Sequence, residues 1–359
     1  MKLGGASMNR ESKFEVIRTL TAIFIAFLLA FIIILLVSEE PIHTFFMFTT
    51  GPFDSLRHVG NIVEAAIPLM FTGLAIAIMF KANQFNLAVE GAFFIGGVAA
   101  TIAAINFKLP PVIHPMIAIT FGAVAGAIVC LIPALLKVKF NASELVSSLM
   151  LNYIFFQIGI YIINYFLRDP YAGAMMSYKF QENAKLATLI PKTRIHMGLI
   201  ISVVCIILMY LFQYKTKWGY ALRMTGHNKN FAEYSGINTS FVIIYSQLLG
   251  GLIAGIGGAT EILGMYNRFM WQALPQYGFD GVIVAIIARN NPLFIPLGAF
   301  FLAYLRIGAD IMSRYSDVPS EMVAVIQAIP ILLIAAQGFL EKYRHKTILK
   351  EAKDYGKFS

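Results

Sequence analysis

Apolar stretches and short polar ones alternate along this chain with the spacing that a bilayer imposes. Apolar runs recur near 20–37, 62–80, 86–105, 112–136, 144–166, 197–214, 240–263, 293–312 and 320–338, with a shorter one at 279–289. A helix needs roughly 18 or more such residues to cross hydrocarbon. Within lipid, only helices and closed barrels satisfy their own backbone. The pattern therefore predicts an all-α polytopic membrane protein of about ten transmembrane helices over 18–340, the run at 279–289 being too short to cross alone. Residues 1–17 are polar and carry Lys2, Arg10 and Lys13; the first run is followed by SEEP rather than a small-residue cleavage site, which predicts a retained helix.

Two polar segments interrupt the pattern for longer than a connection requires. Residues 167–196 are expected to form a loop outside the membrane, long enough for a short helix or a docking surface. Residues 215–240 are expected inside. Ala221, Met224, Phe231, Ala232 and Tyr234 there space out a short amphipathic element along the membrane surface, with glycines at 219, 226 and 236. A solvated connecting loop is the plainer alternative. The helices around 62–166 and 240–338 also suggest a weak internal repeat, each half built around an interrupted, glycine-rich helix, an arrangement that transporters use.

Composition sharpens this picture. The chain is 58% hydrophobic and 13% charged, with mean hydropathy +0.72, whereas soluble domains carry about 25% charged residues. The net charge of +9 would suit nucleic acid in a soluble protein. Here it marks cytoplasmic loops. With both termini inside, including a basic tail at 341–359, Lys and Arg are distributed about two to one in favour of the inside. Cys130 and Cys205 lie in apolar runs and behave as small hydrophobes. The six histidines are scattered without ligand spacing, so no metal site is expected. No phosphate-loop motif, catalytic triad or zinc-protease motif occurs, so no ATP hydrolysis by that route and no enzymatic activity is expected of the chain.

Polar groups inside the runs are the candidate functional residues, because a carboxylate at mid-bilayer costs at least about 2.5–3.5 kcal/mol. FNLAVEGAFFIGGVAA (85–100) places Asn86 and Glu90 in an otherwise apolar span, with Gly91, Gly96 and Gly97 permitting close helix approach. A bent, non-helical start to this span is expected, buried in protein or lining a wet cavity. Glu90 then either borders a solute path or bonds a neighbouring helix. Asn152, Phe156 and Gln157 on the fifth span, and Gln247 beside Ser246 on the seventh, are further candidates for a path that takes a ring-bearing polar solute. Helix packing is the alternative. Arg306 and Asp310, at i and i+4, are expected to pair within the membrane. Glu261, Asp280 and Glu321 fall near outer span ends and read as interfacial, with the rim of an extracellular vestibule as the alternative. Trp271 reads as an outer membrane anchor.

Three stretches, FNLAVEGAFFIGGVAA, GYALRMTGHNKNFAEYSGIN (219–238) and VPSEMVAVIQAIPILLIAA (318–336), resemble in order and spacing the permease subunits of ABC importers of the ribose and nucleoside branch. The resemblance covers residues 60–340. It implies that Gly219, Arg223, Gly226, Ala232, Tyr234 and Gly236 belong to the segment that meets a cytoplasmic ATPase. That subunit would bind ATP and Mg, with no cofactor on this chain. A second permease chain, an extracytoplasmic binding lipoprotein, membrane lipid and a bacterial cytoplasmic membrane are likewise implied, with no nucleic acid. Nucleoside and sugar both remain open as solute, and an ion-coupled secondary transporter is the rival reading. Two positions depart from the family pattern: Asn83 stands where glycine is common and Ala92 where glutamine is usual. Both lie beside the expected path and bear on which solute is carried.

Overall fold

In the computed structural model, the described residues are 27–319 and the isolated positions 25, 322, 325 and 328. Apart from positions 322, 325 and 328, the expected tenth span at 320–338 lies outside them, as do the tail at 341–359 and residues 1–17. The described residues form α1 (Phe27–Val37), α2 (Pro41–Thr50), α3 (Leu56–Lys81), α4 (Val89–Asn106), α5 (Ile113–Phe140), α6 (Glu144–Leu167, its last turn a π-helix), α7 (Gly198–Lys215), α8 (Lys217–His227), α9 (Lys229–Tyr234), α10 (Thr239–Met265), α11 (Tyr277–Ile287) and α12 (Ile295–Tyr315). Seven are long and apolar enough to cross a membrane: α3, α4, α5, α6, α7, α10, and α12 with the 3₁₀ turn before it. Where ten spans were expected, the described part of the first is the short α1, and the eighth is the 11-residue α11.

The chain divides into two units, residues 55–303 and residues 1–54 with 304–359. In the larger unit, α3, α4, α5 and α10 pack around one another. Their centre is a crossing of two small-residue motifs, GAVAG (122–126) on α5 and GLIAG (251–255) on α10. A Cβ on Gly126 would stand 2.7 Å from the Cα of Gly255, and one on Gly251 2.5 Å from the carbonyl oxygen of Gly126. Glycine is required because the two backbones touch. Such contact replaces the hydrophobic drive that lipid removes. Gly96 on α4 joins the same crossing, 2.5 Å from the carbonyl oxygen of Gly255 by the same measure.

Helix ends follow sequence. Thr216, Asn228 and Asn238 cap α8, α9 and α10, each accepting a backbone N–H three residues on. At the end of α3, Asn83 takes a left-handed conformation (φ 57°), while the N–H of Gln84 returns to the carbonyl of Met79. Asparagine is the ordinary residue that best tolerates this conformation after glycine. Its presence where glycine is common thus preserves the turn, and its side chain is exposed.

In the smaller unit, Phe27 and Phe31 of α1 pack on Phe48 and Phe45 of α2. Tyr304 stacks on Phe53 and donates to the carbonyl of Thr49 at 2.8 Å. Asp317 accepts from the Ser38 hydroxyl at 2.6 Å and from the N–H of Glu39. These bonds hold its carboxyl below the usual range.

Candidate functional site

Non-helical segments precede α4 and α11, and the starts of these two helices meet. Between α3 and α4, residues 82–88 are non-helical, and α4 starts only at Val89. Between α10 and α11, residues 266–276 are non-helical, and α11 starts at Tyr277. Glu90, in the first turn of α4 and fully buried, accepts the N–H of Gln276 at 2.7 Å through Oε1 and of Gly278 at 2.5 Å through Oε2. Its carboxylate caps the N-terminus of α11, satisfying orphan donors and facing the positive end of that helix dipole. Burial of the charge is thereby matched by charge-assisted bonds. Gly278 has no alternative residue: a Cβ there would stand 2.5 Å from the backbone nitrogen of Glu90.

The other break is read by one face of α6. Glu144, Ser148 and Asn152 recur every fourth residue, and all three are buried. Glu144 accepts the N–H of Phe85 at 3.0 Å and Ser148 that of Leu87 at 3.1 Å. Asn152 accepts the N–H of Gly91 at 2.9 Å and donates to the carbonyl of Leu87 at 3.0 Å. Backbone that lacks helical partners at membrane depth must find others in protein, and this polar stripe supplies them. Glu144 also lies 3.9 Å from Lys137. Glu144 and Ser148 are site residues the sequence reading missed, although their i, i+4, i+8 spacing was visible.

Asn86 closes the same break from within. Its Oδ1 accepts the N–H of Ala88 at 2.8 Å, and its Nδ2 donates to Gln247 Oε1 at 2.6 Å. Gln247 is fully buried, and its Nε2 has no hydrogen-bond partner among the described residues, leaving a donor unspent beside the break. Ser246 bonds back to the carbonyl of Ile243. Phe156 packs on Phe94 at 5.2 Å, whereas Gln157 is exposed. Asn152 and Gln157 therefore occupy different faces of α6. Asp310 bonds Arg314 one turn further along, at 3.1 Å.

Two expectations at the other end of α10 are corrected. Glu261 is not interfacial. It is 1% exposed, because α10 runs on to Met265 and the loop at 186–198 covers it. Leu186 N–H bonds the carbonyl of Leu263, Thr193 packs on Gly60 of α3, and His196 packs on Gly264. Trp271 is not an outward anchor either. It is half-buried, stacked on Phe93 at 5.7 Å and set against Gly97. The earlier part of the 167–196 loop is pinned to the 266–276 segment by Ser177 with Phe269, Phe180 with Asn267 and the Asp169–Arg268 ion pair at 3.3 Å.

The 215–240 segment is built of the two short helices α8 and α9 at the opposite end of α7 and α10. A Cβ on Gly219 would collide with the carbonyl of Phe212, and one on Gly226 with that of Lys81, so α8 lies directly on α3 and the end of α7. Arg223 donates to the carbonyl of Gln213 and lies 5.1 Å over the Tyr214 ring. Ala232 is buried and Gly236 takes φ 81°, a turn that suits glycine. Tyr234, 94% exposed, and Phe231 are left as an outward apolar pair.

A bundle of apolar helices in which two helix starts meet beside non-helical backbone is an architecture that membrane transporters use. Residues 59–335 match the family described as branched-chain amino acid transport system / permease component, and the chain belongs to that family. It is 33% identical to a guanosine ABC transporter permease protein, NupP, of Bacillus subtilis, over 80% of this chain and 83% of that one. It is 30% identical to a glucose ABC transporter permease protein of Haloferax volcanii, over 85% and 83%. A nucleoside ABC transporter permease protein, NupB, of Lactococcus lactis is 28% identical over 93% and 94%. The chain is the permease of an ABC importer, a transport subunit whose ATPase is a separate chain.

Proposed function

We propose that this permease carries a neutral, ring-bearing solute, a nucleoside or simple sugar, across a bacterial cytoplasmic membrane, with both termini inside. The observation that carries the solute class is the Glu90 cap. Broken helices in transporters commonly aim a free N-terminus at an anionic group of the solute. Here the N-terminus of α11 already holds a protein carboxylate, which accepts from Gln276 and Gly278. A phosphate or an amino-acid carboxylate would compete with that fixed negative charge. A neutral solute would not. The nucleoside and sugar named for the relatives fit this reading better than the branched-chain amino acids of the family description.

In the same reading, a cytoplasmic ATPase binds ATP and Mg and grips the outward pair Phe231 and Tyr234, and α8 passes its movement to α3 through Gly226. A binding lipoprotein delivers solute to the 167–196 loop, and a second, different permease chain completes the path. Asn86, Glu90, Asn152 and Gln247 hold the path's broken wall in register. The test is uptake by proteoliposomes of the full complex, with unlabelled guanosine, glucose, leucine and guanosine monophosphate as competitors. Competition by guanosine or glucose alone is expected. Competition by leucine or the monophosphate overturns the solute class, and uptake without ATPase overturns the importer.

A further inference from the structure

Aromatic and basic residues gather where two apolar spans end. The span α7 stops at Lys215, α8 starts at Lys217, and α10 starts at Thr239. Between the beginning of α8 and the first two turns of α10 runs a groove of about 290 Å³, near the lower size of ligand pockets, roughly 300 Å³. Lys217 and Trp218 line it from α8, Phe241 and Tyr245 from α10, and Asn238 from the connection between them; the rest of its lining is apolar.

The wall is a closed set of three rings. Trp218 lies 5.5 Å from Phe241 and 5.9 Å from Tyr245, and Phe241 lies 5.5 Å from Tyr245. The Tyr245 hydroxyl donates to the carbonyl of Trp218 at 2.6 Å, which ties α8 to α10 and fixes the groove. Trp218 and Phe241 still leave nearly half their surface uncovered. At the end of a span, such rings seat at the level of the lipid headgroups. From Asn238 to Tyr245 a helix rises about 10 Å. A headgroup layer is only about 5–8 Å deep on each side of the hydrocarbon, so the groove reaches from that layer to the acyl chains.

The polar end of the groove offers donors and no acid. The Lys217 ammonium is exposed, 5.7 Å from the centre of the Trp218 ring. Asn238 spends its Oδ1 on the N–H of Phe241 at 3.0 Å, so its NH₂ is the group left for a ligand. Glu233, the acid nearest in sequence, is engaged by Lys229 at 3.8 Å and by the Thr239 hydroxyl at 2.5 Å. No carboxylate lines the groove among the described residues. Donors at one end and an uncovered apolar wall along the rest call for an amphiphile with an anionic head. A lysine beside an aromatic cluster at a span end is how proteins hold anionic lipid. We infer that this groove seats an anionic phospholipid. An acyl chain lies against Trp218, Phe241 and Tyr245, and the phosphate accepts from Lys217 and Asn238. Such a site is independent of the solute carried.

The test is tryptophan quenching in the full complex, reconstituted in phosphatidylcholine vesicles that contain brominated phosphatidylglycerol or brominated phosphatidylcholine. The chain has two tryptophans, Trp218 and Trp271, so the emission lost in Trp218→Phe isolates the groove. That emission is expected to be half-quenched by about fivefold less brominated phosphatidylglycerol than brominated phosphatidylcholine, the enrichment one lysine gives beside anionic lipid. Each lysine variant is read against its own Trp218→Phe partner. Lys217→Gln is expected to abolish the preference while leaving both lipids able to quench. Lys229→Gln, which removes a lysine outside the groove, is expected to keep it. No quenching by either lipid would mean that protein, the ATPase or the second permease, covers the groove. Equal quenching by the two lipids in wild type would mean an ordinary lipid-facing surface. A preference that survives Lys217→Gln, or that Lys229→Gln also abolishes, would mean that charge spread along the segment draws the lipid. Each of these three results overturns the site.

Discussion

The carboxylate of Glu90 and the N–H of Gly278 bond at 2.5 Å across 188 residues of sequence, tying the start of α4 to the start of α11. Glu90→Gln keeps one acceptor but turns an NH₂ toward the second backbone donor and removes the charge facing the α11 dipole. Loss of a charge-assisted buried bond costs about 1.5–3 kcal/mol. Thermal unfolding in detergent is expected to move down accordingly. An unchanged unfolding temperature with a raised KM for solute would instead place Glu90 in contact with the cargo.

Asn152 makes two bonds to the other break, one to Gly91 and one to Leu87. Asn152→Leu has similar volume and leaves both backbone groups unsatisfied, at about 1–3 kcal/mol each. Asn152→Asp keeps the acceptor toward Gly91 and loses only the donor, so the smaller loss is expected for it. Equal unfolding temperatures for the two variants would mean that the stripe on α6 does not hold the 82–88 segment.

Much of this arrangement was legible in the sequence. The glycines of GAVAG and GLIAG announce a close crossing, and Glu144, Ser148 and Asn152 announce a polar face at helical spacing. The partner of Glu90 was not legible, because it is a pair of backbone N–H groups 186 and 188 residues away, and backbone donors carry no side-chain signature. Glu261 was misplaced for a different reason. Hydropathy falls off near 263, but the loop at 186–198 folds back over the last turn of α10 and excludes water from it. Trp271 was misplaced likewise, since an aromatic residue after a span reads as an anchor until Gly97 and Phe93 are seen to receive it.

His196, packed on the last turn of α10, gives the fold a pH dependence whose sign is fixed. Its pKa is pushed down by burial from 6.5 to about 4. Between those values the unfolded chain binds the proton and the folded chain does not, so stability present above about 6.5 is lost as pH falls toward 4. A shift of this size corresponds to about 3 kcal/mol at most. The unfolding temperature is expected to drop between pH 7 and 4, and less so in His196→Gln, which cannot titrate. Parallel curves for the two proteins would show that the imidazole is not the group responsible.

Gly226 and Tyr234 belong to one segment but fail in opposite ways. Gly226 lies on the carbonyl of Lys81, so Gly226→Val must push α8 off α3, and a loss of stability as well as of uptake is expected. Tyr234 is 94% exposed and holds no bond that the fold needs, so Tyr234→Ala should leave unfolding within about 0.5 kcal/mol of wild type. If its ring is what an ATPase grips, the same variant, with Phe231→Ala, should lose most of its uptake and of its capture of the ATPase in mild detergent. A truncated buried aromatic anchor at an interface costs about 2 kcal/mol or more, roughly thirtyfold in affinity. Wild-type capture by the double variant would remove the 215–240 segment from the interface and leave α8 and α9 as a scaffold for the adjoining ends of α3, α7 and α10.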